Sequence, residues 1–445
     1  MPRNPIATNS PYIFKTARKK LPGNYRIFYQ LPTTLRMKLQ KSFLTWSLIA
    51  AITALAAVAC GGELDPANAP TQVVVAPDST SATLASDAPR VTNTPAPKPT
   101  NPSPLPTYPK GKLEVYEIDA WINSEEFKIA DKFAENQVVL VDFWTYTCVN
   151  CLRTLPFLRE WQAKYADHGL TILGVHTPEF DFEKDAENVK AAIERENIEW
   201  AVALDNDYGT WNSFGNRYWP AKYLIGLDGQ LTYRHFGEGS YVETELAIRE
   251  TLTEAGWDVS DIPIGSTNSA NRDPVADRMT RELYGGYERN YTQSGLYAGQ
   301  EQYYIEPDST REYVDDGNYT PQQWYLQGKW MNGPESIIHA RKTSNLEDHI
   351  AFQFVGRSAN VVVNPTGTEP FNVYVEIDDR PLTADEAGMD ILFDNEGRSY
   401  FSVNEPRLYA FLETPEFGEH IVKLASDSDD FAIFAFTFGI NEGGI

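Results

Sequence analysis

A chain of 445 residues with 42% hydrophobic content can bury two or three cores, and its formal charge of −24 argues against the Lys- and Arg-rich surfaces that nucleic acids require, so no nucleic-acid partner is expected. Three cysteines are too few for a disulfide-stapled scaffold. The charge is unevenly placed: the first sixty residues hold nine basic residues and no acidic one, leaving 29 basic against 62 acidic residues beyond them.

Lys38 and Lys41 precede an uncharged stretch from Ser42 to Gly62, strongly apolar through Phe43, Leu44, Leu48, Ile49 and Ile52. A basic flank, an apolar run and small residues before a cut point mark a secretory signal, predicted here over 37–59. Met37 stands just before it, so residues 1–36 read as an over-called start. The small residues end in Ala57-Val58-Ala59-Cys60-Gly61, which resembles the lipobox of bacterial lipoproteins, with Ala57 where that motif usually has Leu. The resemblance implies lipidation of Cys60, each buried CH₂ contributing roughly 0.8 kcal/mol of anchoring. An uncleaved membrane helix and simple cleavage are the alternatives. Each places the body outside the cytoplasm of a bacterium, in the periplasm or at the cell surface. Residues 60–112 follow as a lipid-anchored, Pro/Thr-rich linker: eleven prolines lie between Pro66 and Pro109, a semi-rigid spacer with no material for a core.

Residues 113–256 read as a folded redox domain. Gln137 to Trp144 is too continuously apolar for a surface strand and predicts a buried one. Thr145-Tyr146-Thr147-Cys148-Val149-Asn150-Cys151 follows, and then Leu152, Leu155, Leu158, Trp161 and Tyr165 recur at helical spacing. Cys148 therefore falls at a helix N-terminus and Cys151 one turn inside it. A helix N-terminus presents unpaired N–H groups and the positive end of the dipole, which favours thiolate over thiol, and the thiolate is the nucleophile. The more exposed Cys148 is expected to attack a disulfide and Cys151 to resolve the product. A zinc site would need further ligands, and beyond these two the only cysteine is Cys60, so no metal and no bound cofactor are expected. A structural disulfide across so small a ring would constrain the unfolded chain little. Further elements are predicted at Leu170–His176 (strand), 183–196 (helix), 200–204 (strand), Ala221–Ile225 (strand) and Leu231–Phe236 (strand).

Val141-Asp142-Phe143-Trp144 before the cysteine pair and Pro156 five residues after it resemble the thioredoxin superfamily. That resemblance implies an α/β thioredoxin-like fold, a central mixed sheet flanked by helices, with Asp142 as a buried carboxylate moving protons beneath Cys151, Pro220 as a cis-proline facing the sulfurs, and Trp144 and Trp219 as walls of the active site. The long stretch between Cys151 and Pro220 is similar to the TlpA-like and redoxin branch. More narrowly, Trp144 to Pro156 with His176-Thr177-Pro178-Glu179-Phe180 resembles the thioredoxin-like domain of DipZ-type cytochrome c biogenesis proteins. Glu179 follows the central strand where membrane-tethered cytochrome-maturation reductases carry a Glu beside the cysteines, a resemblance that implies a carboxylate tuning the thiolate, with an exposed loop residue as the alternative; His176 reads as structural. No multi-span membrane domain of that family precedes the redox domain, so a separate membrane electron donor is expected.

After a linker at 257–275, residues 276–445 change to short alternating runs: His349–Phe354, Ala359–Val363, Asn372–Ile377, His420–Leu424 and Phe431–Phe436. Many short strands between turn residues predict a C-terminal all-β sandwich or jelly roll. DipZ-type proteins are similar here too, and the likeness implies a carbohydrate-binding-like domain. Tyr284, Tyr287, Trp324, Tyr325, Trp330 and Tyr400 offer rings for a glycan, or serve simply as core.

The leading function is a membrane-anchored thiol-disulfide oxidoreductase acting on protein thiols and disulfides, apocytochrome c among them. A thiol peroxidase has Thr145 in its favour but Val141 where those enzymes place proline. A surface binding module with a vestigial redox domain is the third class, opposed by the joint presence of Asp142, Trp144, both cysteines and Pro220.

Overall fold

The computed structural model describes residues 105–109, 111–265, 278–291 and 295–440. The predicted signal segment, Cys60 and most of the proline-rich linker lie outside the described residues. Among the described residues no helix is long and apolar enough to cross a membrane.

The redox domain is built on a six-stranded sheet. In chain order its elements are β1 (Ala120–Ile122), α1 (Ile129–Ala134), β2 (Val138–Trp144), α2 (Val149–Tyr165), β3 (Leu170–His176), α3 (Ala186–Arg195), β4 (Ala201–Leu204), α4 (Gly209–Phe214), β5 (Ala221–Ile225), β6 (Leu231–Phe236) and α5 (Tyr241–Glu254). The strand order is β1-β4-β3-β2-β5-β6. β2, β3 and β4 run parallel, while β1, β5 and β6 pair antiparallel at the flanks. This is the mixed thioredoxin-like sheet. β2 lies in its middle, and all seven of its residues are buried because helices cover both faces.

Alternation along β2 divides the core. Val138, Leu140 and Trp144 face the layer of α2 and α5, while Val139, Val141 and Phe143 face the opposite layer with Trp211 and Phe214 of α4. Asp142 falls on the α2 face by the same period. In β5, Leu224 shares that face, whereas Ala221, Tyr223 and Ile225 do not, so Lys222 also points toward α2.

The helix expected over 183–196 is divided. A 3₁₀ turn occupies Asp181–Lys184, and α3 starts afresh at Ala186 because the Asp185 side chain accepts the Glu187 N–H at 2.9 Å. The linker expected at 257–275 is packed in its first half. Trp257 Nε1 donates to the Asn136 carbonyl at 2.8 Å, Val259 is in the core, and the Arg249 guanidinium donates to the carbonyls of Val259 (2.7 Å) and Ile262 (2.8 Å). At the other end Tyr108 exchanges hydrogen bonds with the Gln230 side chain, so the domain starts a few residues before 113.

The C-terminal domain contains β7 (Leu283–Tyr284), β8 (Thr310–Tyr313), β9 (Trp324–Asn332), β10 (Ile337–His339), β11 (His349–Val363), β12 (Phe371–Ile377), β13 (Arg380–Pro381), β14 (Leu392–Phe393), β15 (Ser399–Val403), β16 (Arg407–Ala425) and β17 (Ala432–Gly439). All pairings among them are antiparallel. The runs predicted separately at His349–Phe354 and Ala359–Val363 form one strand of fifteen residues. Bulges against β16 at Gly356/Ser358 and Ala359/Asn360 shift the alternation, which breaks the sequence pattern without ending the strand. The first part of β11 pairs with β9 and the second with β17. Trp324 and Trp330, considered above as sugar platforms, are closed into the core, at 0% and 1% exposure.

One core crosses the boundary between the domains. Val362, Leu408, Ala432, Phe434 and Ala435 belong to the same apolar cluster as α2 and α5. The Phe434 ring sits edge-on to Phe180 and Phe182 at 5.2 and 4.8 Å. Around it, the Asp181 N–H donates to the Glu335 carboxylate at 3.1 Å and Arg195 pairs with Glu405 at 3.2 Å. Because both halves share buried apolar surface, they are expected to unfold together. Phe434→Ala should cost about 3–5 kcal/mol and lower the melting temperature of both domains in a single calorimetric transition; separate transitions in the parent chain would contradict a shared core.

Candidate active site

Cys148 is the N-cap of α2, in extended conformation with φ −79° and ψ 110°, so the strand-to-helix turn itself presents its side chain. Both cysteines are free thiols; Cys148 is partly exposed and Cys151 is buried. The Cys151 N–H donates to Cys148 Sγ at 3.4 Å, the kind of contact that supports negative charge on that sulfur. Burial, then the contact with Cys148, pushes the Cys151 thiol well above its ordinary range. The pair is therefore asymmetric: one sulfur faces outward, and the other stays protonated until something removes its proton.

Asp142 and Lys222 lie beneath the pair. They are register partners across β2 and β5, both fully closed off from solvent. Asp142 Oδ1 and Lys222 Nζ have no hydrogen-bond partner among the described residues, and the ammonium stands 5.9 Å from the centre of the Tyr241 ring. Burial pushes the Asp142 carboxyl from 3.8 to about 7, with Lys222 pulling it back. Burial likewise pulls the Lys222 ammonium down, against the attraction of Asp142 and Cys151. Such a carboxyl exchanges a proton near neutral pH. Sequence reasoning found Asp142 and missed Lys222. The available signal was a charged residue two places after Pro220 inside an otherwise apolar strand.

The loop carrying Cys148 is held from below. The Thr147 hydroxyl donates to Glu183, whose carboxylate also accepts the Phe180 N–H at 3.0 Å. Glu183 is fully buried, and burial with the neighbouring Glu179 pushes it to about 7. His176 is closed into the core, contacts the Thr145 hydroxyl at 3.3 Å, and is pulled down to about 3 by burial, so it remains neutral. Tyr146 stacks on its ring at 5.6 Å.

The peptide bond Trp219–Pro220 is cis. Trp219 lines the cleft with Cys148, its Nε1 donating to the Thr177 carbonyl at 3.0 Å. Trp144, expected as a second wall, instead lies in the core at 1% exposure, edge-on to His176 at 5.3 Å. Its place on the α2 face of the central strand leaves it no route to the surface. Glu179 lines the same cleft as Cys148, but its carboxylate is taken up by the Arg289 guanidinium and by the Tyr284 hydroxyl at 2.9 Å, both from the C-terminal domain. That hydroxyl also lies 2.7 Å from Glu282, which burial and Glu179 push to about 8. A hydroxyl has one proton to give, so Glu282 keeps its own at neutral pH. Among the described residues no group of three or more His, Cys, Asp or Glu is placed to hold a metal ion.

Between pH 4 and 7 the folded state holds a proton on Asp142 that the unfolded chain has lost, so this residue lowers stability progressively as pH rises through that window. Asp142→Asn removes this residue's share of the slope and leaves that of Glu183. The variant should gain roughly 2–4 kcal/mol over the parent between pH 4 and pH 8, read from urea unfolding at both values. Lys222→Met should move the Asp142 titration upward, because a positive neighbour is lost; a downward move, followed by carboxyl infrared absorption, would contradict the pairing.

The Redoxin family model matches residues 107–246, and the Thioredoxin like C-terminal domain model matches 280–439. Protein DipZ of Mycobacterium tuberculosis is 34% identical over 275 residues, which cover 61% of this chain and 37% of DipZ. The chain thus spans little more than a third of the length of DipZ. Thiol-disulfide oxidoreductase YkuV of Bacillus subtilis is 30% identical over 135 residues, covering 30% of this chain and 89% of YkuV. A solved thioredoxin-like protein in its oxidized form is 28% identical with a TM-score of 0.28, covering 31% of this chain and 90% of its own. The chain belongs to the thioredoxin superfamily and is similar to DipZ, its redoxin domain being followed by the all-β domain that the Thioredoxin like C-terminal domain model matches.

Proposed function

We propose that the protein is a thiol-disulfide oxidoreductase in which Cys148 attacks and Cys151 resolves. The observation that carries this reading is the pair of free thiols at the N-terminus of α2 above a buried carboxyl that titrates near neutrality. The Cys148 thiolate attacks one sulfur of a substrate disulfide; an S–S bond forms to Cys148 and the other substrate sulfur leaves as thiolate. Asp142 then accepts the Cys151 proton, and the Cys151 thiolate attacks Cys148. The second substrate sulfur leaves, and two electrons have passed to the substrate while Cys148 and Cys151 become a disulfide. A separate dithiol donor restores the reduced pair, and the same steps in reverse oxidise a dithiol. The similarity to YkuV, named as a thiol-disulfide oxidoreductase, supports the assignment.

In this reading the body works outside the cytoplasm, held by a lipid on Cys60 and spaced from the membrane by the proline-rich segment. Its substrates are protein disulfides, with apocytochrome c as one target. The C-terminal domain takes the place of the sandwich, jelly-roll or carbohydrate-binding-like, that follows the redox domain in DipZ-type proteins.

The test is reduction of insulin disulfides by the full-length chain. Cys148→Ser should lower turnover at least about a thousandfold, as expected when a nucleophile is deleted. Cys151→Ser should retain the first attack and accumulate a mixed disulfide visible by mass spectrometry. Turnover that survives Cys148→Ser would sink the proposal, and peroxide consumption with a thiol donor at a comparable rate would favour a peroxidase instead.

A further inference from the structure

Cys148 opens into a cleft of about 580 Å³ that both domains line. The redox domain contributes Cys148, Trp219 and Glu179, and the C-terminal domain contributes Glu282, Tyr284 and Arg289. The two sets are held against each other. Phe434 packs edge-on to Phe180, the residue after Glu179, and Arg289 donates both to the Glu179 carboxylate and, at 3.2 Å, to the Glu179 carbonyl.

The Tyr284 hydroxyl decides which carboxyl of this group carries a proton. It stands 2.9 Å from Glu179 Oε1 and 2.7 Å from Glu282 Oε2, and it has one proton to donate. Glu179 is paired with Arg289, so it is the ionised partner and accepts that proton. Glu282 makes no ion pair among the described residues, and only as a protonated carboxyl can it donate to Tyr284. Burial, then the charge of Glu179, pushes it to about 8, against the pull of Tyr284 and Arg289. Tyr297, edge-on to Tyr284 at 5.7 Å and covered by the Arg281 guanidinium, completes its surroundings on the C-terminal side. The redox domain adds Arg217 and the Arg153–Glu238 pair to the same cleft.

Thiol-disulfide exchange has a use for such a group. When the Cys148 thiolate attacks, the departing sulfur takes up negative charge, and a thiol of ordinary pKa, about 8.5, leaves more slowly than a more acidic one. Asp142 is buried beneath the cysteines and does not line the cleft, so its proton exchange serves Cys151. An acid whose proton affinity is close to that of the departing thiol is matched to the transfer. We propose that Glu282 of the C-terminal domain is the general acid of the cleft, giving its proton to the substrate sulfur that leaves as Cys148 attacks. The bond from Cys148 to one substrate sulfur forms, and the substrate S–S bond breaks with its electron pair on the other sulfur. That sulfur takes the Glu282 proton and departs as a thiol, and the Glu282 carboxylate regains a proton from water. In reverse, the carboxylate accepts the proton of an incoming thiol.

This inference rests on the thiol-disulfide reading, and its test separates the two. The full-length chain carrying Cys151→Ser stops at the mixed disulfide, so stopped-flow mixing reads the single attack by Cys148. Two probes are compared: glutathione disulfide, whose alkyl thiolate gains from a proton, and the aromatic disulfide dithiobis(nitrobenzoate), whose acidic thiol leaves without one. Ionisation of Cys148 affects both rates alike and cancels in their ratio. The ratio of the glutathione rate to the aromatic rate should fall as pH rises through about 8, where Glu282 loses its proton. Added Glu282→Gln, which keeps the polar shape but has no acidic proton, should lower the ratio at least about tenfold at pH 7 and flatten its pH dependence. A ratio that does not change with pH, or a loss of equal size with both probes, overturns the proposal. Attack on neither probe before Glu282 is altered would remove the thiol-disulfide reading and the acid with it.

Discussion

Strand β2 is the constraint on which the rest of the structure depends. It is buried along its whole length between β3 and β5, so its alternation admits only one assignment of faces. A slip of one residue would send Asp142 to the layer of α4 and bring Phe143 beneath α2. The same pairing lines Asp142 up with Lys222 and delivers the chain, four residues after Trp144, to the N-terminus of α2. The position of the outward sulfur and the environment of the inward one are thus both consequences of one strand's register.

That arrangement carries a cost in stability. Asp142 and Lys222 are fully buried with orphan polar atoms, and Glu183 is buried beneath the cysteine loop. Burying ionisable groups disfavours their charged forms by several kcal/mol before pairing offsets any of it. A core designed for stability alone would put apolar residues at all three positions. Their presence within one small region, next to two free thiols, fits a site where proton affinity near pH 7 matters more than packing.

The C-terminal domain enters this chemistry through geometry. It has no cysteine, yet the end of β17 and the segment before β7 line the same cleft as Cys148 and Trp219. The shared core around Phe434 makes that lining a fixed part of the site, unlike a tethered module whose distance from Cys148 would fluctuate. Glu179 shows the difference: a residue that follows the central strand of the redox domain has its carboxylate committed to Arg289 and Tyr284, more than a hundred residues further along the chain.

Local pattern was enough to place the redox strands, the helix after Cys148 and the cysteine pair, because burial on a sheet or helix face imposes a short, readable period on the sequence. Asp142 was marked by the resemblance to the thioredoxin superfamily and not by local pattern. The limits are equally specific. Trp144 was expected in the cleft wall and lies in the core, because adjacency in sequence to Cys148 says nothing about which face a side chain takes. The two runs of β11 were read apart because a bulge resets alternation without ending a strand. Lys222 carried one local sign, a charge inside an apolar strand, but its partner did not show; Glu183 and the Thr437 to Ile440 segment had no local signature, since their roles arise from contacts between segments dozens to hundreds of residues apart. The sequence by itself determined where the reactive sulfurs sit and which residue types surround them. Only the tertiary structure decided which carboxylate meets which cation, and that both domains line the cleft, because those are properties of long-range packing that no local period encodes.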